Sequence, residues 1–157
     1  MAEEKSQASS SSKTITLKAF DGVLFDVDLN IAKEMKTVQA CIDDAEDIEI
    51  VPVPNVSGKH LAIVIEYIKK RTHNEEYDDE FVKNSGDNDL KELLLAANYL
   101  NISSLLNCTC QAIAKRIENK SVEFVRKYFN VENDYSPEEE AKLREETPWA
   151  HEGVDKD

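Results

Sequence analysis

Residues 14 to 28 constrain the fold most, because polar and apolar residues alternate there on both sides of a turn signal. Thr14 to Ala19 alternates, Val23 to Asp28 alternates again, and Asp21-Gly22 lies between them. This dipeptide is typical of a two-residue hairpin turn, so we expect a β-hairpin. Ile48 to Val53 predicts a third strand, and Pro52 places it at a sheet edge or a strand end.

Helical periodicity surrounds these strands. Short helices are predicted at Ile31 to Met35 and at Thr37 to Ile42, before the acidic run 43–47. From Lys59 to Arg71 the apolar residues repeat at helical spacing, which predicts an amphipathic helix that can cover a sheet. The first half therefore predicts an α+β core. The polar, acidic stretch from Thr72 to Glu80 reads as an inserted loop whose end is anchored by Phe81 and Val82.

The second half predicts helices alone. We expect helices at Asp89 to Leu100, closed by Asn101, at Ser103 to Glu118 and at Val122 to Phe129. Ser136-Pro137-Glu138-Glu139 combines an N-cap, a proline at the first helical position and a capping-box glutamate, so another helix begins there. Only two apolar anchors, Ala141 and Leu143, follow in that helix. It therefore needs a partner to be held firmly.

Composition excludes several classes of partner. The formal net charge of -13 at pH 7 disfavours nucleic acid and anionic membrane, because both attract clustered positive charge. No apolar stretch approaches the roughly 20 residues that span a bilayer, and residues 1–12 lack the pattern of a secretory signal, so we expect an intracellular protein. The three cysteines are odd in number, and we interpret them as buried free thiols.

No catalytic pattern is present in the sequence. The three histidines are far apart with no carboxylate or cysteine at ligand spacing, and the four glycines form no phosphate-binding loop. We therefore expect no enzyme activity, no metal and no cofactor. The run Leu93 to Asn101, LLLAANYLN, instead ends a hydrophobic helix with polar and aromatic groups that a buried core does not require. This run favours a binding module.

Several stretches together resemble one known family. They are DGVLFDVD, VPVPNV, ELLLAANYLNI, LLNCTCQAIA and FNVENDYSPEEEAKLREE, with Trp149 near the end. The chain resembles, over nearly its whole length, the Skp adaptors, S-phase kinase-associated proteins that join F-box proteins to a cullin in ubiquitin ligases. The sequence ANYLN is most similar to the plant members of this family. The resemblance implies a BTB/POZ fold at 13–118 and two F-box-binding helices at 119–149, in a protein of the cytoplasm and nucleus. The Ser-rich composition of residues 1–12 predicts a disordered tail, and residues 150–157 form an acidic tail that departs from the family pattern.

The resemblance also implies two sets of binding residues. Asn98 and Tyr99 match the family's cullin contact. The residues that match the F-box contact are Ile102, Leu105, Leu106, Cys110, Ile113, Phe124, Val125, Phe129, Val131, Leu143 and Trp149. Simpler interpretations stay open, since periodicity alone favours core positions for Leu106 and Ile113. Tyr99 is equally well explained as a half-buried tyrosine, and Trp149 as a residue of a disordered tail.

Departures from the family pattern indicate a divergent paralogue. Phe124 is bulkier than the residue usual at its place, and Thr147-Pro148 stands before Trp149 where the family has a different sequence. These changes predict a narrowed or shifted range of F-box partners. The alternative functions are a self-associating BTB module and an elongin-type adaptor for another cullin. The chain past Ser121 discriminates, because an elongin-type adaptor lacks those added helices.

Overall fold

The computed structural model of the chain describes residues 13–155, which form two compact units, 13–111 and 112–155. The first unit contains, in order, β1 (Thr14–Ala19), β2 (Leu24–Asp28), α1 (Leu29–Glu34), α2 (Lys36–Asp44), β3 (Ile50–Val53), α3 (Gly58–His73), α4 (Tyr77–Asn84), α5 (Asp87–Leu100) and most of α6 (Ser103–Ile117). The second contains the end of α6, then α7 (Val122–Phe129), α8 (Pro137–Glu146) and a 3-10 helix, Pro148–His151. The α+β fold class is confirmed. The expected tail at 1–12 lies outside the described residues.

The sheet has the order β2-β1-β3, with β1 antiparallel to β2 and parallel to β3. The N–H of Thr16 donates to the carbonyl of Glu49 at 3.0 Å. Backbone groups alternate in direction along a strand, so Glu49 and Val51 face β1 while Pro52 faces the free edge. The N–H that proline lacks would therefore have had no partner. The edge position predicted from Pro52 is confirmed.

The hairpin loop has three residues, so the predicted two-residue turn is wrong. The N–H of Ala19 donates to Val23 O at 2.9 Å, and the N–H of Gly22 donates to Ala19 O at 3.0 Å. A two-residue type I′ turn needs positive φ at both central residues, but Asp21 does not adopt it. Gly22 alone does, with φ of 83°, which gives a type I turn followed by a left-handed glycine.

The hairpin tip is joined to the start of α3. The N–H of Gly58 donates to both carboxylate oxygens of Asp21 at 3.1 Å, next to the N-cap residue Ser57. A Cβ at Gly58 would lie 2.9 Å from the side chain of Val23. Glycine is therefore required for the close approach between the loop and the helix, and the carboxylate is favourably placed at a helix N-terminus.

One hydrophobic cluster fills the first unit. It takes side chains from all three strands, from α3 and from α5, as the periodicity of those segments predicts. The largest of its members that are almost fully buried are Tyr67, Leu17, Met35, Leu61, Leu93, Leu100 and Leu105. This cluster fixes the position of α5 and of the start of α6, on which the candidate binding residues of this unit lie.

The inserted loop predicted at Thr72 to Glu80 is mostly wrong, because α3 continues to His73 and α4 begins at Tyr77. Three carboxylates occupy the first turn of α4, where the helix dipole favours negative charge. One of them, Asp78, accepts a hydrogen bond from the hydroxyl of Tyr67 at 2.7 Å. Phe81 is buried with its ring centroid 4.9 Å from that of Tyr67, so the anchor predicted there is confirmed.

Both predicted helix starts of the second unit are confirmed. The hydroxyl of Ser121 accepts from the N–H of Phe124 at 3.1 Å, which caps α7. At α8 the capping box is complete: Ser136 accepts from the N–H of Glu139 at 3.2 Å, and the Glu139 carboxylate accepts from the N–H of Ser136 at 2.9 Å. No residue of α8 is buried, in agreement with its thin apolar stripe.

Candidate protein-binding surfaces

The end of α5 is fixed by a left-handed asparagine. Asn101 has φ of 56°, its N–H donates to Asn98 O at 3.3 Å, and the N–H of Ile102 donates to Ala97 O at 2.9 Å. These two bonds form a Schellman motif, and Ile102, which follows it, is buried in the core. The chain therefore turns sharply after Leu100, and the last turn of α5 stands at the surface. The predicted helix end at Asn101 is confirmed.

Asn98 and Tyr99 lie side by side in this last turn but differ in burial. Asn98 is exposed, whereas Tyr99 is half-buried against the hydrophobic core. The hydroxyl of Thr37 also donates to the backbone carbonyl of Tyr99 at 2.7 Å. Leu95, one turn earlier, is 60% exposed and was missed from the sequence. An apolar residue off the buried stripe of α5 was the signal that could have found it.

The candidate residues at the start of α6 have different environments. Ile102 and Leu105 belong to the core and are 2% and 0% exposed, so they present almost no surface to a partner. Leu106 is half-buried and Cys110 is exposed. Further along the same helix, Ile113 is buried. The implied F-box contacts of these five residues stay predictions, and only Leu106 and Cys110 show substantial surface here.

The cysteines are not all buried, so that prediction is wrong for two of the three. Cys108 is buried, Cys41 is half-buried and Cys110 is exposed. Cys108 and Cys110 point to opposite sides because two residues turn an α-helix by about 200°. Burial, with a smaller contribution from the nearby Asp78 carboxylate, raises the pKa of Cys108 to about 11. Its thiol is therefore protonated at neutral pH and a poor nucleophile.

The second unit is organised around a buried tyrosine that sequence reasoning missed. Tyr128 is 8% exposed, and its ring centroid lies 6.3 Å from Phe124 and 5.1 Å from Phe129. Phe124 is half-buried and Phe129 is 42% exposed. Tyr128 thus holds two of the candidate aromatic residues in place on α7, as edge and offset ring contacts do. Val125, between them, is half-buried.

The rest of this unit exposes large apolar side chains. The ones implied by the resemblance are Phe129, Val131, Leu143 and Trp149, and the ones missed are Val122 and Tyr135. Trp149 is the most exposed of them, at 74%. Asn130 has φ of 54° and ends α7, where the N–H of Val131 donates to Arg126 O at 2.8 Å. This second Schellman motif fixes the backbone of Val131 where its side chain faces solvent.

Ion pairs, rather than apolar packing, attach α8 to α7. Arg126 Nη1 lies 3.3 Å from Glu140 Oε1, and Arg144 pairs with Glu123. Asn133 donates a further hydrogen bond to Glu140 at 3.3 Å. The hydrogen bond from Arg126, followed by that from Asn133, lowers the pKa of Glu140. The helix is therefore held by contacts that are partly open to water and weak individually.

One histidine does have a carboxylate beside it, contrary to the expectation from spacing. His60 Nδ1 lies 2.9 Å from Ser57 Oγ, and His60 Nε2 lies 3.1 Å from Asp89 Oδ1. The Ser57 hydroxyl also accepts from the N–H of His60 as the cap of α3, and Lys59 Nζ lies 2.8 Å from the same Asp89 oxygen. The side chains of Ser57, His60 and Asp89 therefore each take part in a structural contact. Within residues 13–155, no three His, Cys, Asp or Glu side chains are arranged to hold a metal ion.

None of the described helices has the length and apolar character needed to span a membrane.

Family models match residues in both units of the chain. A family model described as "Skp1 family, tetramerisation domain" matches residues 13–73, and one described as "Skp1 family, dimerisation domain" matches residues 103–150. Together they cover more than half of the chain. The first is the POZ model of the family, so the sheet and helices of the first unit form a BTB/POZ fold.

Relatives from two plants are similar over almost the whole chain. SKP1-like protein 14 of Arabidopsis thaliana is 45% identical over 148 residues, which cover 90% of this chain and 99% of the relative. SKP1-like protein 3 of the same species is 42% identical over 159 residues, covering 89% and 97%. SKP1-like protein 1 of Oryza sativa subsp. japonica is 38% identical over 167 residues, covering 89% and 96%. The chain belongs to the Skp1 family.

Proposed function

We propose that this chain is a non-catalytic adaptor that links F-box substrate receptors to a cullin in an SCF-type ubiquitin ligase, and so supports substrate ubiquitination. Membership of the Skp1 family supports this proposal. The single structural observation that carries it is the set of large apolar side chains left exposed in residues 122–149. Large exposed apolar groups mark a protein-binding surface. The cytoplasm and nucleus are the compartments that we propose for this role.

The F-box side of the mechanism is apolar burial on a ready-made aromatic surface. Phe129, Val131 and Leu143 are exposed in the free chain, and Trp149 more so. Each large side chain that a partner fully desolvates contributes about 1.5 to 3 kcal/mol before ordering costs are subtracted. Because aromatic residues dominate most interfaces, we expect Trp149 and Phe129 to contribute most of the affinity.

The cullin side of the mechanism uses the last turn of α5. Asn98 offers an exposed amide, Tyr99 offers part of an aromatic ring, and Leu95 adds an exposed apolar group one turn earlier. Such a mixture of one aromatic, one polar and one apolar group is typical of interface residues. Since the core packing of α5 fixes this turn, the contact is pre-organised and loses little entropy on binding.

The alternative functions remain testable. Residues 103–150 match the second Skp1 model, and this match includes the extension past Ser121 that an elongin-type adaptor lacks. It therefore favours the F-box adaptor over the elongin type. A self-associating BTB module would cover the same exposed side chains with a second copy of the chain. In that case the chain would be dimeric or larger by light scattering, and it would remain so when an F-box domain is added, because the side chains that the F-box needs would already be covered.

Two substitutions test the adaptor proposal by separating its binding partners. Asn98→Lys should weaken capture of a cullin N-terminal domain and leave F-box binding unchanged. Trp149→Ala should weaken F-box binding by about tenfold, as for an aromatic anchor that the partner buries, and leave cullin capture unchanged. Asn84→Lys places the same charge on another exposed asparagine, on α4, and should affect neither. Trp149→Phe should recover part of the loss. If either variant weakened cullin capture and F-box binding equally, the two surfaces would not be separate and the proposal would be wrong.

A further inference from the structure

A groove of about 540 Å³ lies in the first unit, and no candidate residue named above lines it. It is bounded by the start of β1, the start of α1, the end of α2 and the segment 45–49 that leads into β3. Its lining includes the half-buried side chains of Leu29, Ile42 and Ile48 and the buried side chain of Ile15. The groove therefore has an apolar floor that a side chain of a partner can contact.

On the central strand β1, the backbone N–H and carbonyl of Thr14 are not paired with another strand on the side of the groove. Thr16 directs its N–H toward β3, where Glu49 O accepts it at 3.0 Å. Backbone groups alternate along a strand, so Thr14 also faces the β3 side and not the β2 side. Pairing with β3 begins only at Thr16 and Ile50, however, and Thr14 lines the groove. Within residues 13–155, its N–H and carbonyl have no hydrogen-bond partner on that side.

The charge around the groove has one dominant sign. The segment from the end of α2 to β3 carries five exposed carboxylates, those of Asp43, Asp44, Glu46, Asp47 and Glu49. The only basic residue among those that line the groove is Lys13. A cationic ligand would therefore be attracted here, and an acidic one repelled.

We propose that this groove binds an extended segment of a protein partner in which basic and apolar residues alternate. Successive side chains of an extended segment point to opposite sides, so one set reaches the apolar floor while the other set meets the carboxylates. The backbone of the segment pairs with the N–H and carbonyl of Thr14, at the end of β1 where pairing with β3 has not yet begun. The site goes beyond the proposed adaptor function, because neither the cullin nor the F-box candidate residues line it.

The experiment uses the full chain and a fluorescein-labelled hexapeptide of alternating lysine and valine, followed by fluorescence anisotropy. Glu46→Lys combined with Asp47→Lys should weaken binding by about tenfold or more. The matched control, Glu132→Lys with Asp134→Lys, makes the same charge change at two exposed residues outside the groove and should bind nearly as the parent does. Equal losses in the two double variants would mean general attraction to an acidic protein and would overturn the proposal.

A second pair of variants tests the backbone contact. Thr14→Pro removes the N–H that faces the groove without removing a hydrogen bond to β2, and proline is tolerated at the first residue of a strand. We expect about fivefold weaker binding than for Thr14→Val, which keeps the N–H. Equal binding by these two folded variants would overturn the strand-addition geometry. Binding of a glutamate and valine hexapeptide, or self-association of the chain that the basic peptide disperses, would overturn the proposed ligand.

Discussion

Arg126 on α7 and Glu140 on α8 form an ion pair whose closest nitrogen and oxygen are 3.3 Å apart. This pair matters because α8 has no buried side chain, so its position depends on polar contacts. Partly exposed ion pairs contribute only about 0 to 1 kcal/mol each. We therefore expect α8 to be the part of the second unit that separates first and that a partner can most easily reposition.

Removal of the ion pair should loosen α8 without unfolding the chain. Arg126→Gln should increase hydrogen exchange of the amides from Ala141 to Trp149 by roughly threefold to fivefold, because the loss of one such contact shifts a local opening equilibrium by less than about 1 kcal/mol. Exchange in α3 and α5, whose side chains form the core, should not change. Hydrogen exchange followed by mass spectrometry measures both segments in one sample.

Lys142→Gln is the matched control for this variant. Lys142 pairs with Glu146 in the same helix at 3.9 Å, and both side chains are largely exposed. The substitution also removes one positive charge, yet it breaks no contact between α8 and α7. If it increased exchange of α8 as much as Arg126→Gln does, the helix would be held by its own stability and not by the ion pair.

Attachment of α8 should depend on pH in a defined direction. The pKa of Glu140 is lowered in the folded chain from its ordinary value of 4.5. A lowered pKa means that the ionised form is favoured by folding, so this stabilisation is present above pH 4.5 and is lost as pH falls through the lowered value. NMR shifts of Ala141 should report this loss below pH 4.5, and Glu140→Gln should remove most of the pH dependence and resemble the acid state at neutral pH.

The two candidate cullin residues should differ in their effect on stability. Asn98→Lys should change the free energy of unfolding by less than about 0.5 kcal/mol, because its side chain is exposed. Tyr99→Lys should lower it by about 1 to 2 kcal/mol, because Tyr99 packs against the core. Tyr99→Phe keeps the packing and should be nearly neutral. Urea unfolding measures all three, and an Asn98→Lys variant as destabilised as Tyr99→Lys would show that this turn is not a free surface.

The cysteines should react at very different rates. Cys110 is exposed, whereas Cys108 is buried with a pKa raised to about 11. At pH 7.5 iodoacetamide should therefore modify Cys110 at least about a hundredfold faster than Cys108, since the thiolate is the reacting form. Peptide mass spectrometry after timed quenching identifies each site. Comparable rates for the two residues would mean that the start of α6 opens readily.

Local signals predicted much of the fold. Pro52 identified an edge strand, because proline lacks the N–H that a further strand would need. Asn101 identified a helix end, and Ser136 with Glu139 a capping box, because each of these depends on groups close together in the chain. The loop predicted before Phe81 was wrong for a different reason. Its acidic residues suggested a solvated loop, but they occupy the first turn of α4, and Tyr67 on another helix supplies a partner for Asp78.

The binding surfaces were less accessible to sequence reasoning, because periodicity identifies an apolar face but not what covers it. Ile102 and Leu105 proved to be core residues, whereas Tyr135 and Val122 proved to be exposed. Tyr128 was missed because the sequence around Phe129 does not distinguish a buried tyrosine from an exposed one. In the structure it is buried and contacts the rings of Phe124 and Phe129. Such assignments require the tertiary structure.

The proposed adaptor function requires that one molecule of this chain bind an F-box protein and a cullin at the same time. Size-exclusion chromatography with light scattering, on a mixture of the chain, an F-box domain and a cullin N-terminal domain, tests it most directly. We expect a single complex with one copy of each, which is absent when the chain is left out and depleted when the chain is replaced by a variant with both Asn98→Lys and Trp149→Ala. Two separate binary complexes that exclude each other, or an F-box and cullin complex that forms equally well without the chain, would contradict it.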